Sequence, residues 1–228
     1  MKLVQKPFLM VNPKVYLYGE ELVKLAKIAD NLAQKYQIDI LFTAPLIDLP
    51  AIKAATNHLL LTAQHMDPVV AGRGMGHVLP EGLQAAGVKA VVLNHAENPL
   101  TVNVLARTIK RAKELGLYSI VCADSVAECR AIAELEPNMM ICEPTSLIGT
   151  HQTSDDEYIT STVQAIKAIN SNIMVLEAAG VSTGADVQKV LQLGADGTGG
   201  TSGIVCAADW EKKISEMLEP MKQFQRGE

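Results

Sequence analysis

The stretch VKAVVLNHAENPL, residues 88–100, shows the unit from which the whole chain is built. Its apolar run Ala90–Leu93 is typical of a strand that is buried on both faces. The polar residues Asn94, His95 and Glu97 follow directly after this run. A core strand that ends in an amide, an imidazole and a carboxylate is typical of a sheet whose strand ends carry a functional site.

A helix is predicted after the polar residues, over the segment NPLTVNVLARTIKRAKELG. Its apolar residues recur with a period near 3.6, and Gly116 is a typical residue for the end of a helix. Asn98 is a candidate N-cap, with Pro99 at the first helical position. The stretch therefore predicts a strand, a polar turn and a helix in close succession.

The same unit recurs along the chain. Eight strand candidates alternate with helical segments: FLMVN (8–12), DILFTA (39–44), LLLTAQ (59–64), AVVLN (90–94), YSIVCA (118–123), MMICE (139–143), IMVLEA (173–178) and ADGTGG (195–200). The last is a weak candidate, because threonine and glycine replace branched apolar residues. Eight alternating units predict an α/β protein with a parallel sheet, and we expect a closed (β/α)8 barrel in a single domain over residues 1–228. A doubly wound sheet is the alternative, which the lack of G-x-G-x-x-G after the first strand disfavours.

Composition excludes several classes of partner. The chain has 228 residues, 48% of them hydrophobic, and a formal net charge of −5, with no cluster of Lys and Arg. Nucleic acid and anionic membrane are therefore not expected as partners. The N-terminus has no uninterrupted apolar run of the signal-peptide type, and the four cysteines are too scattered for a metal or disulfide framework. We expect free thiols and a cytoplasmic location.

Candidate catalytic residues lie where a barrel places its active site, just after the strands. Asn12 and Lys14 follow the first strand, His95 the fourth, and Glu143 ends the sixth. Each has a simpler interpretation: a solvated lysine, a hydrogen-bonded structural histidine, a helix-capping glutamate. Three such residues at the same end of three different strands favour the catalytic interpretation.

Three turns could hold an anion: LIGT a few residues after Glu143, AAGVSTG after strand 7 and GGTSG after strand 8. Small residues let backbone N–H groups converge on an anion, and barrels often bind phosphate after strands 7 and 8. A single glycine-rich turn is weak evidence, but two adjacent turns at these strands are more specific.

These segments together resemble the triosephosphate isomerase family in its shorter, archaeal-type form. The resemblance covers nearly the whole chain, implies a TIM barrel, and rests on six motifs in this order: NPKVY, AQHMD, LNHAEN, CEPTSLIGT, AAGVSTG and GTGGTSG. It implies an aldose–ketose phosphate isomerase, with triosephosphate isomerase first among the candidates. An isomerase of another short ketose phosphate, such as a tetrulose phosphate, or a non-catalytic barrel that binds a phosphorylated metabolite, are the alternatives.

The resemblance also implies a role for individual residues. His95 corresponds to the electrophile, Glu143 to the base and Lys14 to the cation beside the substrate. The implied substrate-binding residues are Asn12, Pro13, Lys14, Ile148 and Gly149 of the closing loop, and Gly180, Thr201 and Ser202 at the phosphate. The implied enzyme needs no metal or organic cofactor, and it is a homo-oligomer, dimer or tetramer, built around the loop that contains GRGMG. We also expect the N-terminus of the following helix to lower the pKa of His95 and keep the ring neutral, as in the triosephosphate isomerase family.

Some positions differ from the family pattern that the resemblance implies. They are Pro13, Met75, Ala96, Asn98, Ala178 and His151. The acid–base residues are retained, so these differences bear on the substrate and the subunit contact rather than on the type of reaction.

Overall fold

The strands close into one parallel barrel in chain order in the computed structural model, which describes residues 4–147, 154–178 and 180–227. They are β1 (Phe8–Val11), β2 (Ile40–Ala44), β3 (Leu60–Ala63), β4 (Ala90–Leu93), β5 (Tyr118–Ala123), β6 (Met139–Cys142), β7 (Met174–Glu177) and β8 (Gly197–Gly200). The first and last strands pair, with Phe8 opposite Gly197 and Val11 opposite Gly200. The predicted (β/α)8 barrel is thus confirmed, and all eight predicted strands are present.

Helices follow the strands and surround the barrel. They are α1 (Gly19–Tyr36), α2 (Leu49–Ala55), α3 (Pro80–Ala85), α4 (Val102–Glu114), α5 (Val126–Ala133), α6 (Asp156–Ile169), α7 (Gly184–Gln192), α8 (Ser202–Val205) and α9 (Trp210–Arg226), with a 3₁₀ turn at Thr145–Leu147. Within the described ranges no helix is long and apolar enough to cross a membrane.

Two layers of apolar side chains make up the core. Alternate residues of the strands, such as Phe8, Met10, Ile141 and Leu176, fill the barrel interior. The residues between them point outward and pack against the helices. This division explains why the strands read as continuous apolar runs, because both faces of a sheet in a barrel are covered.

The glycines of β8 are required by the packing of β1. A Cβ atom on Gly197 would lie 2.6 Å from the carbonyl oxygen of Phe8 and 2.7 Å from its ring. A Cβ on Gly199 would lie 2.7 Å from the carbonyl oxygen of Met10. The eighth strand looks weak in the sequence because its neighbour occupies the space that its side chains would need.

Helix α4 starts later than predicted. Thr101, not Asn98, is its N-cap, and the Thr101 hydroxyl accepts a hydrogen bond from the backbone N–H of Val104. The Asn98 N–H bonds to the carbonyl of His95 at 2.8 Å, which closes a turn ahead of the helix. The prediction of a helix from Pro99 was therefore wrong, because this turn and the threonine cap together define a later start.

Candidate active site

A cavity of about 290 Å³ lies at the carboxyl ends of the strands. It is lined by residues from several regions of the barrel, among them Asn12, Lys14, His95, Glu97, Glu143, Gly180, Ser182, Gly200, Thr201 and Ser202. The structure thus brings together side chains and turns that lie far apart in the chain.

Lys14 is held in an uncommon backbone conformation with a φ of +47°. Asn12 Oδ1 accepts a hydrogen bond from the Lys14 N–H at 3.1 Å, and the Gln64 side chain donates to the Lys14 carbonyl at 3.0 Å. The hydroxyl of Thr43 on β2 donates to the same Asn12 oxygen at 2.5 Å. A non-glycine residue in the left-handed region is typical of a functional site where surrounding contacts maintain the strain.

The Lys14 ammonium group forms an ion pair with Glu97. Lys14 Nζ lies 2.7 Å from Glu97 Oε1, and only 16% of the Lys14 side chain is exposed, against 62% for Glu97. Burial is the largest single influence on the pKa of Glu97, and it raises that pKa. The hydrogen bond and the charge of Lys14 outweigh it, so the pKa of Glu97 lies below its ordinary value. The ammonium group of this ion pair therefore lies inside the cavity, and the ionised carboxylate lies toward the solvent.

Asn94 turns the chain at the end of β4 and so positions His95. Its φ of +58° is a conformation that asparagine tolerates better than most residues. The Asn94 amide donates to the Cys122 carbonyl at 3.1 Å, and its oxygen accepts from the Leu100 N–H at 2.9 Å. The His95 imidazole that follows lines the cavity.

The hydrogen bond to His95 defines its tautomer. The backbone N–H of Glu97 donates to His95 Nδ1 at 3.1 Å, so Nδ1 acts as an acceptor and the neutral ring carries its proton on Nε2. Burial is the main cause of a lowered pKa of His95; the charge of Lys14 adds to it and the charge of Glu97 opposes it. The sequence prediction of a lowered pKa is confirmed in direction, but α4 begins at Val102, so burial and Lys14 replace the helix terminus as the cause.

Glu143 follows the last residue of β6 and its backbone N–H bonds to the Ala123 carbonyl at 3.0 Å. Burial raises the pKa of the Glu143 carboxyl group, the charge of Lys14 lowers it and the charge of Glu97 raises it further. A carboxylate with a raised pKa is a stronger base than an exposed glutamate, and it faces the same cavity as His95 and Lys14.

The turns after β7 and β8 form the opposite wall. Gly180 has a φ of +68°, and a Cβ on Gly203 would lie 3.0 Å from Cβ of Ser182. Glycine at position 203 therefore lets the two turns approach each other closely, and glycine at position 180 adopts a left-handed conformation that other residues disfavour. Gly180, Thr201 and Ser202, predicted to bind phosphate, all line the cavity.

Pro13 and the residues of the predicted closing loop are the remaining members of the predicted site. Pro13 is buried, and it is not among the described residues that line the cavity. Ile148, Gly149 and His151 lie outside the described residues. Within the described part of the chain, no cluster of three or more His, Cys, Asp or Glu side chains could hold a metal ion.

The model of the family described as "Triosephosphate isomerase" matches residues 7–217, which include every one of these site positions. The chain belongs to the triosephosphate isomerase family. This finding confirms the resemblance seen in the six motifs and the predicted class of barrel.

Relatives named triosephosphate isomerase match along nearly the whole chain. The protein from Methanothermus fervidus is 33% identical over 96% of this chain and 100% of its own length. Those from Caldivirga maquilingensis and Methanocaldococcus jannaschii are each 34% identical, over 94% and 92% of this chain and 97% and 98% of their own lengths.

Glu97 has contacts in this member of the triosephosphate isomerase family that the sequence prediction did not assign. The residue was noted at the end of β4, but without a role. The missed signal is its spacing, since a carboxylate two residues after the candidate electrophile can contact both that ring and a neighbouring cation. The supports Thr43 and Gln64 were also missed. They lie far from Lys14 in the chain, and only the closed barrel brings them to it.

Proposed function

We propose that this chain interconverts dihydroxyacetone phosphate and glyceraldehyde 3-phosphate through an enediolate. The observation that carries this proposal is the convergence of Lys14, His95 and Glu143, from three different strand ends, on one cavity beside the β7 and β8 turns. A binding protein needs neither a base nor an electrophile, whereas an isomerase needs both.

The proposed binding mode places the phosphate at the turns and the reacting carbons near β4 and β6. N–H groups at the start of a helix have no carbonyl partner within it, and they favour an anion. Gly180, Thr201 and Ser202 are the proposed phosphate ligands through their backbone N–H groups. Among the described residues no acceptor is bonded to the Asn12 NH₂ group, which we assign to a substrate oxygen.

The proposed reaction moves one proton between two neighbouring carbons and one between their oxygens. The Glu143 carboxylate removes the proton from the carbon beside the carbonyl, and the C–H electron pair becomes the C=C bond of the enediolate. The carbonyl oxygen gains the negative charge, which the Nε2–H of His95 and the Lys14 ammonium group stabilise. His95 then gives its Nε2 proton to this oxygen and takes the proton of the hydroxyl group on the carbon that Glu143 deprotonated. Glu143 returns its proton to the former carbonyl carbon, where the C=C pair forms the new C–H bond, and the electron pair left on the other oxygen becomes the new C=O bond.

The neutral state of His95 is important for this scheme. A neutral imidazole with its proton on Nε2 can donate a hydrogen bond to the enediolate. The pKa of this neutral donor is closer to that of the enediolate oxygen than the pKa of an imidazolium ion would be. Triosephosphate isomerase is itself the standard example of a neutral catalytic histidine, so the scheme follows the family rather than departing from it. Ile148 and Gly149 are proposed to close over the bound substrate and exclude water.

We also propose that the chain assembles into a homo-oligomer, a dimer or tetramer. Large apolar side chains are exposed on the loops after β1, β2 and β3: Val15, Tyr16, Tyr18, Ile47 and Met75. The loop that carries Met75 is closed at its base by two hydrogen bonds between Asp67 and Val78. A preorganised loop with a fully exposed methionine at its tip is suited to insertion into a partner subunit.

The cytoplasm is the proposed location. The four cysteines Cys122, Cys129, Cys142 and Cys206 are free thiols, and reduced thiols are typical of that compartment.

The substrate assignment is tested by kcat/KM on the two triose phosphates against the erythrulose phosphates. We expect a preference for the trioses of at least about tenfold, equivalent to ~1.4 kcal/mol of transition-state binding. The His95→Gln variant is the control, since it should lose turnover if the activity belongs to this site. A tenfold preference for a tetrulose phosphate would show that the triose phosphates are not the substrate, but the proposed type of reaction would stand. No turnover of either substrate would support the binding-protein alternative.

A further inference from the structure

A second carboxyl group lies behind the active site, on the outer face of the barrel. Glu177 is the last residue of β7 and pairs in register with Cys142, the residue before Glu143. Its neighbour Leu176 points into the barrel interior, so the Glu177 side chain points toward the helices. Only 2% of Glu177 is exposed, although glutamate is rarely buried in a protein core.

Glu177 links its own strand β7 to α6 and β8, next to β6, the strand that leads to Glu143. Its Oε1 accepts a hydrogen bond from the Thr162 hydroxyl of α6 at 2.9 Å. Its backbone carbonyl accepts from the Thr198 hydroxyl of β8 at 2.6 Å. Helix α6 begins soon after the predicted closing loop, and β8 leads into the proposed phosphate turn, so Glu177 lies where these parts meet β6.

The surroundings of Glu177 favour the neutral acid. Its Oε2 has no N–H or O–H partner among the described residues, and the thiol of Cys142 on β6 is the donor beside the carboxyl group. The hydrogen bonds from Thr162 and Cys142 favour the anion, but burial outweighs them. The titratable groups that face it are the thiols of Cys129 on α5 and Cys142 on β6, whose sulfur atoms are 3.6 Å apart, the phenol of Tyr158 on α6, and Glu143. None of these is a cation, and an unpaired carboxylate in such a place is much costlier to bury than a carboxylic acid.

Burial is also the main cause that raises the pKa of Glu177 well above its ordinary value of 4.5, and the nearby Glu143 charge contributes to it. The thiol of Cys142 has a raised pKa as well, through its contact with Cys129 and its burial. Tyr158 likewise has a raised pKa because of burial. The local network is therefore composed of uncharged donors and acceptors.

We propose that Glu177, as a buried carboxylic acid, is a positioning residue that holds the end of β6 and keeps a second negative charge away from the base Glu143. This inference rests on the proposed function, in which Glu143 removes the substrate proton. A shift of the Glu143 carboxylate by about 1 Å can cost ~10²-fold in rate, so a group that fixes Cys142 acts directly on the geometry of the next residue.

The test compares Glu177→Gln and Glu177→Ala with the control Glu219→Gln, a change on the exposed face of α9. Glutamine keeps the shape and the neutral hydrogen bonds, so kcat should stay within about threefold of wild type. Alanine removes the side chain that contacts β6, and kcat should fall by at least about tenfold. KM should change little, because the hydrogen bond from Thr198 of β8 goes to the backbone carbonyl of residue 177 and is kept. A purely structural role would lower the melting temperature in Glu177→Ala without this split between kcat and KM.

The pH profile of kcat/KM is the second readout. If Glu177 is neutral over the range where Glu143 ionises, its replacement by glutamine leaves the acid limb of the profile in place. An ionised Glu177 would raise the pKa of Glu143, so Glu177→Gln would then move the limb to lower pH. Such a movement, or a loss of kcat in Glu177→Gln as large as in Glu177→Ala, would overturn the proposal.

A third readout does not depend on any activity. Because the pKa of Glu177 is raised on folding, the folded protein keeps a proton that the unfolded chain releases above pH 4.5. The stability that this provides is complete below that pH and is lost as the pH rises toward the folded pKa. The unfolding equilibrium constant of wild type, relative to Glu177→Gln, should therefore rise with pH by up to about tenfold per unit. A ratio that does not change between pH 5 and 7 would show an ionised Glu177 and contradict the proposal, whereas an inactive wild type that still shows the rise would reject the proposed function alone.

Discussion

At the scale of single residues, Lys14 is the centre of the site's electrostatics. Its charge lowers the pKa of His95 and opposes the rise in the pKa of Glu143. One cation thus adds to the effect of burial that keeps the proposed electrophile neutral, and it limits how far the proposed base is shifted toward the protonated form. Both effects depend on the strained backbone at Lys14, which Asn12 and Gln64 maintain.

The negative charge of Glu97 acts against that of Lys14, because it raises the pKa of both His95 and Glu143. The variant Glu97→Gln tests this effect. Removing this negative charge lowers the pKa of Glu143 and of His95, so the acid limb of kcat/KM should move to lower pH. Lys14 also loses its 2.7 Å partner, and kcat/KM at its optimum should fall by about tenfold. The measurement is a pH–rate profile beside Glu219→Gln. An acid limb that stays in place would show that Glu97 does not act on these groups.

The main catalytic candidates were predictable from the sequence because each follows an apolar run closely. Lys14, His95 and Glu143 stand just after the strands of three units, which a barrel brings to one end. The role of Glu97 was harder to predict: its spacing from His95 is visible in the sequence, but Lys14 reaches it only in the closed barrel. Glu177 was hidden inside a strand candidate, where nothing indicates which face its side chain takes.

At the scale of elements, β8 shows how packing overrides strand propensity. Threonine and glycine make GTGG a poor strand by composition, yet Phe8 and Met10 of β1 leave no room for larger residues. The regular spacing of the other seven units predicted this strand correctly. The start of α4 could not be derived from Asn98–Pro99, because a proline after an asparagine is also typical of a turn.

Gly197→Ala tests this account of β8. The added methyl group would meet the Phe8 backbone and ring at 2.6–2.7 Å, and overpacking of this kind should destabilise the protein by about 2–3 kcal/mol or more. The control is Gly82→Ala in α3, where the nearest atom is 3.9 Å away, so stability should be unchanged or rise by about 0.5–1 kcal/mol. Urea denaturation compares the two. Equal stabilities would mean that β1 and β8 are not packed as described.

At the scale of the whole molecule, closure of the barrel creates two surfaces at one end. The inner surface is the cavity, and the outer one is the set of exposed apolar side chains on the loops after β1 to β3. Lys14 lines the cavity while the adjoining Val15 and Tyr16 are exposed, so the same loop contributes to both surfaces. The proposed subunit contact therefore supports the proposed catalytic lysine directly.

Met75→Glu tests the assembly. A carboxylate at a buried apolar contact costs far more than one in water, so the variant should dissociate at protein concentrations where wild type is oligomeric. Phe224→Glu is the control, because Phe224 is also exposed but lies on α9, away from these loops. Light scattering coupled to size exclusion gives the masses. A monomeric wild type at micromolar concentration would contradict the proposed oligomer.

Glu143 is the proposed base of the isomerase site, and kcat of Glu143→Gln shows whether it removes the substrate proton. Glutamine keeps the size of the side chain in its half-buried place but cannot accept the substrate proton. We expect a fall in kcat of ~10²–10⁴, the usual contribution of a positioned acid–base group, with the affinity for inorganic phosphate unchanged. Glu219→Gln should keep full activity. A Glu143→Gln variant whose kcat stays within a few-fold of wild type would show that Glu143 is not the base.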